Sequence, residues 1–215
     1  MSKAILLSIK PKWVAKILNG EKTIEVRKQF PEDYVGWVYI YCSKGNKKDW
    51  HLIEVVDTDT GWEGYEYDYY IGSKGYLDWC LEGKVVARFW CDKVEKIKYH
   101  FGYYDMGDWT ESYIKEKSCL TSEELDDYLK ASEEYNEKIP SRVYGRAVPI
   151  SKLEIFDKPK ELSEFMLYCE THRKKLASWT NHKCNKCPYL IDGAGCCPKL
   201  TKAPQNYCYV EELKQ

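Results

Sequence analysis

No stretch of about 18 consecutive apolar residues occurs in this 215-residue chain, so hydropathy offers no candidate for a membrane-spanning helix. No export leader is expected either, because residues 1–10 are too short for a signal peptide and Pro11 interrupts them at once. A cytoplasmic location in a reducing compartment is therefore expected. Net charge is nearly absent too, at −1, but the balance hides a segregation. Residues 1–50 carry ten Lys or Arg against five Asp or Glu, residues 51–83 one against eight, and residues 165–215 eight against four. Two basic ends brought together by folding make a surface for a polyanion; an ordinary mixed, solvated surface is the plainer alternative. With 44% hydrophobic residues, the chain is long enough for one globular domain with a substantial core, and disorder is excluded.

What is present centres on residues 20–27, Gly-Glu-Lys-Thr-Ile-Glu-Val-Arg. A helix over 11–19 leads in: Pro11 suits a first helical position, and Trp13, Val14, Ile17 and Leu18 form one apolar face. Asn19-Gly20 supplies the left-handed stop. The period then changes to two over 22–28, with Thr23, Glu25 and Arg27 on one face and Ile24 and Val26 on the other. Strict alternation places Lys22 with Ile24, so Lys22 reaches the polar face only if the turn at Gly20 rotates it. Arginine offers a planar fork for phosphate, lysine a point charge, and glutamate an acceptor for an exocyclic amine. Lys22, Thr23, Glu25 and Arg27, flanked by Lys10, Trp13 and Tyr41, are the candidate ligand contacts. Lys22 and Glu25 are the catalytic candidates if the protein is an enzyme. The plainer alternative is a surface ion pair of little energetic weight.

Further strands are expected at 4–9, 37–42, 85–91 continuing through 94–97, 143–150, 152–156 and 206–210. Trp37, Tyr39 and Tyr41 share one face of their strand, as core or as a stacking surface. Thr121-Ser122-Glu123-Glu124 is a capping box opening another helix, and 162–179 reads as helical at least in part. Residues 44–83, acidic and Tyr-rich with little period, read as an insertion: a lid over the core, or a docking surface for a protein partner. The expected architecture is α+β, a small, mostly antiparallel barrel with helices at its ends, formed by 1–165 with 203–215. Residues 166–202 form a helix and a Cys-rich knuckle.

Ten cysteines in a reducing compartment point to metal rather than disulfides. Cys184 and Cys187 have the C-x-x-C spacing that lets two thiolates reach one tetrahedral ion, with Cys196, Cys197 and Cys208 downstream. Cys184, Cys187, one of the 196/197 pair and Cys208 complete a structural zinc site; if Cys208 is core, both Cys196 and Cys197 ligate, or His182 does. The spacings match no ferredoxin pattern, and no βαβ context supports a redox role. Cys42, Cys80, Cys91, Cys119 and Cys169 read as small buried hydrophobes.

The run Gly20, Lys22, Glu25, Arg27 resembles the G-x-K-x-x-E-x-R signature of the ASCH domain, a PUA-like family. The lead-in Ile5 to Leu18, the strand Val38 to Tyr41, the strand Val148 to Leu153 and the closing Pro204 to Val210 resemble the variety found in bacteria and phages. The resemblance implies a PUA-like barrel that binds RNA or a modified nucleotide in the cleft between the first helix and the barrel. Some members hydrolyse N4-acetylcytidine and others are described as ribonucleases. Lys22 matches the amidohydrolase lysine, whereas Glu25 stands where that enzyme has threonine.

Overall fold

The first strand determines where the core lies. In the computed structural model, which describes residues 2–44, 51–56, 63–68, 81–100, 102–135, 142–168 and 199–213, β1 (Lys3–Ile9) is apolar on both faces. Ile5, Leu7 and Ile9 enter one cluster, Ala4 and Leu6 another, so β1 must sit inside a sheet covered on both sides. That sheet runs β10 (Ser151–Lys160), β6 (Val85–Cys91), β3 (Gly36–Cys42), β1, β11 (Tyr207–Glu211). β1 and β3 are parallel, and the other pairs in this sheet are antiparallel. A parallel pair needs a crossover, which α1 (Pro11–Leu18) and β2 (Ile24–Arg27) supply.

α1 buries Val14, Ala15, Ile17 and Leu18 on the face of β1 and β3 that carries Ile5, Leu7, Val38 and Ile40. Each buried Val, Ile or Leu side chain contributes about 1.5–3 kcal/mol relative to exposure. The opposite face takes Tyr39, Tyr41, Phe165, Leu167 and Leu200, with Trp37 packed at its margin. The aromatic face of β3 is thus core, tied down where the Leu213 N–H donates to the Tyr39 hydroxyl at 3.0 Å.

A second, antiparallel sheet runs β2, β9 (Val143–Pro149), β7 (Glu95–His100), β8 (Tyr103–Asp105). α2 (Glu111–Ser118) and α3 (Ser122–Leu129) supply Ile114, Leu125 and Leu129 to its core beside Ile24, Val26 and Ile97. The predicted capping box opens α3: the Thr121 hydroxyl accepts from Glu124 N–H and the Glu124 carboxylate accepts from Thr121 N–H, both at 3.1 Å. Lys130 then leads into the short α4 (Ala131–Glu134).

The expected closed barrel is not what forms: the described strands pair in separate sheets that share two continuous chain paths, β6 into β7 and β9 into β10. The second path turns at Ile150, just after Pro149, which has no N–H to donate to a ladder. A register shift between Ser151 and Glu154, with Lys152 at φ 46°, completes the bend.

Within 44–83, β4 (His51–Val56) and β5 (Glu63–Asp68) form an antiparallel pair whose backbone lies against α1. Of the helix predicted over 162–179, the described part, 162–168, holds only a 3-10 turn, Leu162–Glu164, because Phe165 leaves it in extended conformation to enter the core; 169–179 lie outside the described residues. Met166 and Leu167 then make bridges to Lys199 and Val210. Among the described residues no helix is long and apolar enough to cross a membrane.

Of the cysteines read as core, Cys42 and Cys91 are fully buried and Cys119 is half-buried, while Cys80 and Cys169 lie outside the described residues. Burial pushes the Cys91 thiol from its ordinary 9.0 up to about 12 and that of Cys208 up to about 11. The unfolded chain releases both protons first, so stability is expected to fall as pH rises from about 9 towards 12. Urea midpoints at pH 8 and pH 10.5 check this; equal midpoints would contradict it.

Candidate functional site

The polar site begins where α1 stops. Gly20 adopts φ 76°, which only glycine enters without cost, and its N–H donates to the Ile17 carbonyl. The chain doubles back, so Lys22 N–H donates to the Lys16 carbonyl and Thr23 N–H to the Lys117 carbonyl. Because β2 starts only at Ile24, residues 22 and 23 escape strict alternation. Lys22 swings inward and Thr23 outward, where it is exposed and apart from the cavity lining.

Lys22 is 2% exposed. Its Nζ donates to the Ser118 carbonyl at the end of α2 (2.7 Å) and lies 3.3 Å from Glu25 Oε2. It also stands 5.2 Å above the Trp13 ring. Burial lowers the Lys22 pKa from its ordinary value, opposed by the charge of Glu25 and the bond to it. Glu25 Oε1 lies 3.0 Å from Arg27 Nε, and Arg27 Nη2 donates to the Ser8 carbonyl. One buried carboxylate thus bridges two cations, and the trio carries a net positive charge.

This trio lines a cavity of about 1220 Å³. The value exceeds the roughly 300–1,000 Å³ of ordinary small-molecule pockets. The cavity lies beyond the carboxyl ends of the parallel strands β1 and β3, where open sheets containing parallel strands present their ligand crevices. Lys10, Trp13 and Tyr41 line it with Lys22, Glu25 and Arg27, so the candidate contacts other than Thr23 converge. α3 adds Asp127 and Tyr128, and the stretch before β11 adds Thr201 to Gln205. Sequence reasoning missed the Ser118 carbonyl and the contributions of Lys44 and Lys202. A backbone acceptor carries no residue-type signal, and α2 shows only a weak apolar face, with Ile114 its one buried aliphatic.

Of the metal candidates, Cys184, Cys187, Cys196 and Cys197, with His182, lie outside the described residues. Cys208 stands in β11 opposite Leu6 and packs against the core face of Tyr39 and Phe165. Among the described residues, no group of three or more His, Cys, Asp or Glu is placed to hold a metal ion.

No family model matches the chain, and no curated protein matches it. Among solved structures it is similar to an ASCH protein from Zymomonas mobilis, with 13% identity and a TM-score of 0.38 over 83% of this chain and 96% of that one. A point mutant of an ASCH protein from the same organism is similar at 13% identity and TM-score 0.40, over 75% of this chain and 77% of that one.

Proposed function

We propose that this protein binds a nucleotide, as a unit of RNA or as a modified nucleotide, in the cavity between α1 and the sheets. The observation that carries this is the buried Lys22–Glu25–Arg27 trio on the wall of a large cavity that also presents Trp13 and Tyr41. A carboxylate accepts from an exocyclic amine, a guanidinium donates to a carbonyl or phosphate, and an indole face stacks on a base. Lys22 suits a binding role: its ammonium is held by the Ser118 carbonyl, Glu25 and the Trp13 face, contacts that support the charged form against the burial that lowers its pKa.

Single-stranded RNA should bind with an affinity that falls between 50 and 200 mM salt, and Trp13→Ala should weaken it about tenfold, within the ~1–3 kcal/mol of one stacked base. Fluorescence anisotropy measures both. Absent or salt-independent binding would refute the proposal. Turnover of N4-acetylcytidine, or RNA cleavage that is lost in Lys22→Ala, would instead make the protein a hydrolase.

A structural zinc on Cys184, Cys187, Cys196 and Cys197 belongs to the same proposal. Cys208 is assigned to the core on the strength of its packing against the cluster of Tyr39 and Phe165. Metal analysis of the purified chain should find one zinc, lost in Cys184→Ser and kept in Cys208→Ser. A metal-free protein, or loss of zinc in Cys208→Ser, would overturn that assignment.

A further inference from the structure

The cavity rim carries charges that the buried trio does not need. Among the described residues, each acidic residue lining the cavity has a cation beside it: Glu25 has Lys22 and Arg27, Glu124 has Lys12 at 3.0 Å, Asp127 has Lys130 at 3.4 Å, and Glu161 has Lys84 at 3.6 Å. Three exposed lysines on the same lining, Lys10, Lys44 and Lys202, make no ion pair among the described residues. Among the described residues these three add unpaired positive charge to the lining, beside the net positive charge of the trio.

Their placement is ordered by the sheet. Lys10 follows the end of β1 and Lys44 the end of β3, and the parallel register sets Ile9 opposite Cys42. Lys202 lies in the segment leading into β11, which flanks β1 on its other side, and Ser8 ties that segment down by donating its hydroxyl to the Pro204 carbonyl. Lys10 and Lys44 thus come from the ends of two adjacent strands, and Lys202 from the loop that enters β11 on the other side of β1. The Lys44 stem passes close to the chain before β6. It crosses Gly83, where an added Cβ would lie 2.7 Å from Lys44 Cε, and Gly83 has φ 83°. Lys10 is set in extended conformation as the residue before Pro11.

We infer that Lys10, Lys44 and Lys202 form a phosphate-binding row, and that the ligand is a single-stranded oligonucleotide segment laying at least two consecutive phosphates across the strand ends. A base enters the cavity towards Trp13 and Arg27 while the backbone crosses the rim. A neutral nucleoside leaves the row unused, and a mononucleotide engages one member. The inference rests on the nucleotide-binding proposal and assigns its ligand class.

The test compares a nucleoside, its 5′-monophosphate and a trinucleotide of the same base, by calorimetry on the full chain, in wild type and in the combined Lys10→Ala, Lys44→Ala, Lys202→Ala variant. Wild type should bind the trinucleotide at least about tenfold more tightly than the monophosphate. The variant should lose that advantage, and its plot of log affinity against log salt should flatten by about 1.4, at ~0.7 for each of the two phosphates that link the trinucleotide. A trinucleotide that binds no better than the monophosphate, or a variant with the wild-type salt slope, would overturn the phosphate row and leave the base-binding cavity standing. Failure of all three ligands to bind would remove both.

Discussion

Replacing Glu25 with glutamine is expected to lower the unfolding free energy by about 3–5 kcal/mol, the cost of removing one partner from a buried ion pair. Glu25 is 6% exposed and is the carboxylate that Lys22 and Arg27 share. Glutamine keeps the shape but leaves two cations facing each other inside the protein, and its amide offers only one oxygen where two were in use. The Ser118 carbonyl stabilises Lys22 and the Ser8 carbonyl stabilises Arg27, yet neither carries a full negative charge. The Lys22→Met, Glu25→Gln double variant should recover part of the loss, because it removes one of the stranded cations. Urea unfolding of the two single variants and the double measures the coupling. A loss below about 1 kcal/mol for Glu25→Gln would show that the trio behaves as a solvated surface pair.

Arg27→Ala is expected to weaken RNA binding by about 2–4 kcal/mol, roughly 30- to 1,000-fold in Kd, the range for truncating a buried charged contact. Its effect on stability should be smaller than that of Glu25→Gln, since Glu25 keeps Lys22 at 3.3 Å. Arg27→Lys should restore only part of the affinity: an ammonium keeps the charge but loses the planar fork. Calorimetric titration with one RNA at fixed salt, paired with thermal melts, separates the two roles. Less than a threefold loss of affinity in a stable Arg27→Ala protein would reduce Arg27 to a prop for Glu25.

The sequence by itself determined whatever rests on neighbours along the chain. Pro11, the spacing of Val14, Ile17 and Leu18, and Gly20 were sufficient for α1; alternation was sufficient for β3; Thr121 and Glu124 were sufficient for the start of α3. The gathering of Lys22, Glu25 and Arg27 was legible in part, since Glu25 and Arg27 share a strand face by period alone. Only the tertiary structure decided the parallel pairing of β1 with β3, the division into two sheets in place of a barrel, and the inward turn of Lys22. Each of these depends on partners far away in sequence. Lys22 is anchored by the carbonyl of Ser118, 96 residues on, and Thr23 is turned away by the carbonyl of Lys117. A backbone carbonyl is the same in every residue, so no pattern of side chains marks it in advance. Folding chooses which carbonyls stand beside the buried charge.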